Sequence, residues 1–259
     1  MSTWRFLPLD IKNGFWNMAL DEAILRRVIT KKSPNTLRFY KWIPSTASIG
    51  KNQSLSNEIN VQFVKEKGFN IVRRITGGGA VFHDEFREIT YSIVCPIKFL
   101  QNLGAYKVIE QFEIITKGII MGLYIFGLKP EKDVIHCPAI LLNGKKFSGN
   151  AQARKKGHLL QHGTILLDID PELMYSVLKA PENIGKSRMV RSVRAKCVGI
   201  KNHMQDYDEM KLIESLKNGF EKSLGIQLKD GILSEDEVEL AEKLVIEKYS
   251  NLNWLNKYE

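Results

Sequence analysis

The stretch Arg73-Arg74-Ile75-Thr76-Gly77-Gly78-Gly79-Ala80-Val81-Phe82-His83-Asp84 decides how this chain is read. Two arginines end a mostly apolar run that starts at Phe69. Three consecutive glycines follow, and a second apolar run closes on His83-Asp84. Three glycines leave a turn with no side chains and with free φ and ψ, so backbone N–H groups can come close to an anion. Two adjacent arginines supply planar, permanently charged forks suited to phosphate or carboxylate. A tight hairpin with solvated arginines is the plainer reading of the glycines alone. The arginines, glycines and His83-Asp84 together favour an anion-binding loop.

Working outward, residues 69–74 read as a strand, and 80–83 and 89–96 as a pair of strands rich in β-branched and aromatic residues. Upstream, residues 4–9, 36–42 and 46–49 have strand character. Residues 17–28 have helical spacing, with Met18, Ala19, Ile24, Leu25 and Val28 on one face. Asp21-Glu22-Ala23 in that helix reads as ordinary helix chemistry. A helix over 58–67 ends at Gly68. Residues 106–126 form the longest helix, with a stripe of Val108, Phe112, Ile115, Ile119, Leu123 and Phe126.

Several strands follow between 134 and 168. Asn143-Gly144 marks a two-residue hairpin. Asp170-Pro171 caps a helix over 168–179. Residues 186–201 are basic and poorly periodic, which predicts a loop. Helices are expected over 206–224 and 234–249, the second opened by the capping box Ser234-Glu235-Asp236-Glu237. The sum is a mixed α/β domain over 1–180, with a helical section over 181–259 packed on it.

Composition narrows the function. The chain has 259 residues, 44% of them apolar, enough for a substantial core. No apolar run reaches the roughly 18 residues of a membrane span. The first ten residues lack a cationic segment followed by an apolar one, so no secretion signal is expected. Cys95, Cys137 and Cys197 have no CxxC spacing, which argues against a disulfide framework or a zinc site and for a cytoplasmic location. The net charge of +9 invites anionic partners. Its basic residues are scattered and match no nucleic-acid module, so nucleic acid is not expected as a partner.

Arg73 to Asp84 resembles the signature of the lipoate-protein ligase and octanoyltransferase family, within the biotin/lipoate protein ligase superfamily. A second similar block runs over 143–152, NGKKFSGNAQ, and a third over 160–167, LQHGTILL. Their order and spacing extend the resemblance over nearly the whole chain. No biotin-type GRGRxG loop is present. The resemblance implies an α+β fold, a mixed and largely antiparallel sheet flanked by helices, like the biotin/lipoate ligase catalytic domains. It implies that Lys146 touches both an acyl carbonyl and the phosphate of an acyl-adenylate. A fixed ammonium there would offset charge growing on the oxygen. Lys145 alternates to the opposite sheet face, so one of the two lysines points inward. Arg73, Arg74, Gly77, Gly78 and Gly79 would hold the anionic end. Ala80, Val81 and Phe82 would line the acyl pocket. Ser148 and Gly149 would allow close approach of the ligand. His83 stands open between a structural and an acid–base role. His162, with Gly163 and Thr164, stands open between the adenylate or acyl carbonyl and a buried core position.

Within the family two chemistries compete, and Cys137 divides them. The reading expected first is a lipoate-protein ligase: lipoate and ATP, with Mg²⁺, give lipoyl-AMP, and the lysine of a lipoyl-domain acceptor displaces AMP. Asp133 would stand in for the magnesium contact, because the Asn-Asp usual before the lysine block is missing. The alternative is an octanoyltransferase that draws on acyl carrier protein without ATP, with Cys137 and Lys146 as a dyad and a lowered thiol pKa. The implied acceptors are lipoyl domains such as those of 2-oxoacid dehydrogenase E2 subunits and the glycine cleavage H protein. Some short family members also need a small activating protein.

Overall fold

The computed structural model describes residues 1–132 and 139–259. Two sheets carry the fold. The larger contains β1 (Ser2–Lys12), β2 (Thr36–Trp42), β6 (Glu88–Pro96), β7 (Pro130–Lys132), β8 (Ile140–Leu142), β9 (Lys145–Lys155), β10 (His158–Leu166) and β11 (Ile226–Asp230). Its spatial order is β11-β1-β2-β6-β10-β9-β8-β7. β1 runs parallel to β11 and β2, and every other neighbouring pair is antiparallel. The smaller sheet has β3 (Thr46–Ile49) between β4 (Asn70–Arg73) and β5 (Val81–His83).

Helices cover the large sheet on both faces. α1 (Gly14–Ile29) and α9 (Glu235–Leu244) lie on one. α5 (Val108–Phe126) and α8 (Glu209–Leu224) lie on the other. The short helices are α2 (Leu55–Glu58), α3 (Val61–Glu66), α4 (Ile97–Asn102), α6 (Pro171–Val177), α7 (Lys186–Lys196) and α10 (Leu252–Leu255). Among the described residues no helix is long and apolar enough to cross a membrane.

Strand alternation divides the chemistry between the faces. Along β6, Ile89, Tyr91, Ile93 and Cys95 pack into the core under α5 and α8, while Glu88, Thr90 and Ser92 face the other way into a buried polar network. In β9, Phe147 enters the α5/α8 core, and its neighbours Lys146 and Ser148 face a cavity. The α5–α8 contact is unusually close: a Cβ on Gly219 would lie 2.2 Å from the Gly122 nitrogen and 2.4 Å from the Gly118 oxygen. Residues at the C-terminal end close the structure. β11 extends the sheet beside β1. The α9 capping box forms as expected, and its Glu237, fully buried, accepts 2.5 and 2.6 Å hydrogen bonds from Arg5.

Several local expectations are corrected. Strand β5 does not pair with β6; it pairs antiparallel with β3, and β6 belongs to the large sheet. The turn between them is held by Asp84, which accepts from the Phe86 nitrogen and from Arg87. The helix expected over 58–67 is shorter: Glu58 ends α2, Ile59 is extended and bridges to Leu178, and α3 starts only at Val61. Val108 in α5 is 53% exposed, since it opens the first turn beyond the sheet. The basic segment expected as a loop contains α7, an eleven-residue helix anchored by buried Val190 and Val193. The Asn143-Gly144 hairpin holds, with φ of 51° and 72°, both in the left-handed region that a tight turn between β8 and β9 requires.

Candidate active site

The two sheets meet around a cavity of about 350 Å³. One wall is the small sheet with its glycine loop. The other is β9, β10 and the end of α7. The lining is mostly apolar, with Met18, Val81, Phe82, Leu166, Met174 and Leu178 among its members. That is the usual composition of a small-molecule pocket, in which a few polar groups fix orientation.

Lys146 enters the cavity from β9, on the same strand face as Ser148, beside a shift of register between β8 and β9. A Cβ on Gly149 would sit 3.4 Å from both Cε and Nζ of Lys146, so the ammonium lies over that glycine. Lys145 is exposed and donates to the Arg194 carbonyl at 3.3 Å. Ser148 is 1% exposed, lines the same wall, and its hydroxyl has no hydrogen-bond partner among the described residues.

Cys197 also lines the cavity and was not anticipated as a site residue. It forms a parallel bridge with Lys146, reinforced by the Val198 N–H donating to the Lys146 carbonyl at 3.0 Å. Burial pushes its thiol pKa up, against the pull of Lys146, Lys196 and Lys145. No motif marks Cys197; only the fold brings it beside the lysine. Cys137 and Asp133 lie outside the described residues. Among the described residues no group of three His, Cys, Asp or Glu is placed to hold a metal ion.

The two arginines have different duties from those expected of an anion clamp. Arg73 does not line the cavity. It is fully buried and donates to the carbonyls of Gly50, Lys51, Gln53, Trp254 and Leu255. A guanidinium has five N–H groups, and all three of its nitrogens donate to these carbonyls. Arg74 does line the cavity, but its terminal nitrogens donate to Ser48 and to the carbonyls of Gly77 and Gly79. Burial pulls its pKa down to about 10. Arg74 holds the glycine loop in shape, and Arg73 ties residues 50–53 to the segment at Trp254 and Leu255. Within the loop only Gly78 has a positive φ, 96°. Gly77 lies outside the lining, whereas Gly78, Gly79 and Ala80 are part of it.

Both histidines are buried in networks. His162 faces the cavity from β10, with Nδ1 at 3.0 Å from Asp21 Oδ2 and Nε2 at 2.7 Å from Thr76 Oγ1. Burial lowers its pKa and the Asp21 charge offsets only part of that, so the ring is neutral at pH 7. A neutral ring then donates from Nδ1 to the carboxylate and accepts the threonine hydroxyl at Nε2. Asp21 is the hub. It also accepts from Arg38, Tyr40 and Ser92. Burial alone would raise its pKa, but His162 and Arg38 outweigh burial and hold it below its ordinary value. His83 bonds Glu88 at 2.7 Å and Ser48 at 2.8 Å, and stacks on Trp42 at 4.0 Å. Gly163 is forced by space: a Cβ there would meet Asn150 Oδ1 at 2.2 Å. Thr164 lines the cavity one residue further on.

The family description "Lipoyl protein ligase A/B catalytic domain" matches residues 13–221. A relative from Brevibacillus brevis, named octanoyltransferase LipM, is 36% identical, with 98% of this chain and 99% of the relative covered. A solved structure of a bipartite lipoate protein ligase and its E2 lipoyl domain from Thermoplasma acidophilum superposes with a TM-score of 0.85 at 26% identity, covering 100% of this chain and 97% of the other. A crystal structure of lipoate-protein ligase A bound with ATP gives 0.83 at 26% identity, with both chains fully covered.

Proposed function

As a member of the lipoyl protein ligase A/B catalytic family this protein is an enzyme, and we propose that it transfers an octanoyl group from acyl carrier protein to the lysine of lipoyl-domain acceptors without ATP. The observation that carries this reading is the full-length match, at 36% identity, to a relative named octanoyltransferase. The ATP-bound ligase structure is similar at 26%. The ligase route, with lipoate, ATP and Mg²⁺, is therefore the second reading. The cavity's cations support the same order. Transfer of a nucleotide phosphate leans on several cationic donors. Here Arg73 and Arg74 serve backbone carbonyls, which leaves Lys146 as the lysine in the lining.

In this reading the Cys137 thiolate attacks the carbonyl carbon of the octanoyl thioester. The carrier's thiolate leaves and takes a proton, and the acyl group rests on Cys137 as a thioester. The neutral amine of the acceptor lysine then attacks that carbonyl. The cysteine thiolate leaves, and the amine's proton is lost as the amide forms. The Lys146 ammonium offsets negative charge on the carbonyl oxygen in both steps. Ser148 offers a second donor at the same wall. The apolar lining holds the alkyl chain, worth about 0.8 kcal/mol for each buried CH₂. The reaction belongs to the cytoplasm, with E2-type lipoyl domains or the glycine cleavage H protein as acceptors.

The test is acyl transfer to a lipoyl domain read by intact mass, run in parallel with octanoyl-acyl carrier protein and with lipoate plus Mg-ATP. Product from the carrier without ATP, abolished by Cys137→Ser, is the expected result. Product only with lipoate and Mg-ATP would establish the ligase instead. Product in neither, restored by an added small protein, would reveal a required activator.

A further inference from the structure

Helix α7 carries Lys186, Arg188, Arg191, Arg194 and Lys196 in eleven residues, with no acidic residue. All five are exposed. Arg188, Arg191 and Arg194 are spaced by three and share one helix face. Arg194 pairs with Glu172 at 3.2 Å. Among the described residues Arg188, Arg191 and Lys196 meet no carboxylate.

This arrangement works against the helix itself. Like charges three apart cost a few tenths of a kcal/mol per pair. Lys186 and Arg188 sit in the first turn, where the helix dipole disfavours cations, and neither an acidic residue nor a side-chain cap compensates. Buried Val190 and Val193 hold the helix in place, so the charges are not needed to form it. A surface kept cationic at a cost in stability is suited to an anionic partner.

The stripe is continuous with the cavity. α7 runs directly into Cys197, which lines the cavity and bridges to Lys146. From there the cations extend away over about 15 Å, at 1.5 Å per residue. That geometry suits a donor whose body docks at a distance while a long arm reaches the mouth. It suits less well an acceptor lysine, whose own domain must sit at the mouth. We infer that the exposed face of α7 docks the acidic carrier protein that delivers the octanoyl thioester on its phosphopantetheine arm. The inference rests on the transferase reading above.

The test compares wild type with Arg188→Glu/Arg191→Glu. Initial rates are measured with octanoyl-acyl carrier protein and with octanoyl-N-acetylcysteamine, a thioester with no protein body, against one lipoyl-domain acceptor. Binding of the carrier is followed separately by anisotropy. The expected result is at least a tenfold fall in kcat/KM and in affinity for the carrier. Turnover of the small donor and the acceptor's KM stay unchanged. Wild-type kcat/KM for the carrier falls with added salt, and that of the variant does so less steeply. Arg188→Glu puts an anion into the first turn, so thermal stability is held or raised, which separates lost docking from lost folding. Equal loss with both donors, a raised acceptor KM with the carrier unaffected, or no change would each overturn the inference. If wild type transfers from neither thioester, the transferase reading fails first and the inference falls with it.

Discussion

The two walls of the cavity handle charge in opposite ways. On the small-sheet wall, Arg74 holds Ser48 and the glycine loop, Arg73 behind it ties residues 50–53 to the segment at Trp254 and Leu255, and His83 is locked between Glu88 and Ser48. On the β9–α7 wall, Lys146 lies over a glycine, Ser148 keeps a hydroxyl without a partner among the described residues, and Arg188, Arg191 and Lys196 of α7 meet no carboxylate among the described residues. The first wall is finished internally and acts as scaffold. The second presents groups to something that is not part of the chain. A motif can therefore dominate a sequence because it builds the site, while the reacting groups stand opposite.

If that division is right, the largest loss of activity comes from the second wall. Lys146→Ala is expected to lower kcat by roughly 10²–10³, the scale seen when one preorganised oxyanion donor is removed. Thermal unfolding should be little changed, since the side chain is only partly buried. Steady-state kinetics with a melting curve checks both halves. A variant with full activity would break the comparison.

The largest loss of stability is expected from the first wall. Arg73→Ala leaves buried carbonyls unpaired and frees the C-terminal segment, at a cost of about 3 kcal/mol. Denaturant titration should show it, together with a Tm lower by roughly 6–12 °C. At a temperature where the variant is folded, the KM for the acyl donor should stay near that of wild type.

The His162–Asp21 pair sharpens the comparison through pH. Both groups titrate below their ordinary values in the folded state. Their contribution is therefore fully present above the unfolded pKa values and is lost as pH falls, beginning below the histidine value of 6.5. Unfolding free energy measured from pH 7.5 to 5 should decline, and His162→Gln should flatten that decline. An unchanged slope would show that the buried imidazole is not responsible.

The smallest effect is expected inside the triple glycine. Gly77 has ordinary φ and open space where a Cβ would go, so Gly77→Ala should stay within about 0.5 kcal/mol. Gly78→Ala should cost about 1–2 kcal/mol, because its φ is 96°. Equal effects at the two positions would show that the positive φ of Gly78 carries no cost.

The sequence exposed the scaffold better than the partners of each side chain. Periodicity marked α1, α5, α8 and α9, and Asn143-Gly144 marked the hairpin that places Lys146. It could not mark α7, whose apolar anchors are few and whose cations mask the helical period. Strand character in 80–83 and 89–96 was legible, but pairing partners depend on the turn at Asp84 and on where β3 lies. Arg73 and Arg74 look alike in sequence, but Arg73 ends β4 and Arg74 is the first residue beyond it, and successive side chains there point to different surroundings. Asp21 looked like ordinary helix chemistry, because a hub is defined by groups from β2, β6 and β10 that only the fold assembles. Cys197 lies fifty-one residues from Lys146 and becomes its neighbour through one β-bridge.

The proposed reaction turns on a covalent acyl group carried by Cys137 and discharged to an acceptor lysine. Its most direct test is peptide mass spectrometry of the enzyme after one turnover with octanoyl-acyl carrier protein, before and after a lipoyl domain is added. The expected result is an octanoyl group on Cys137 that disappears as the acceptor gains it. An enzyme that carries no thioester, or carries it on Cys197, or forms product only when ATP is supplied, would contradict it.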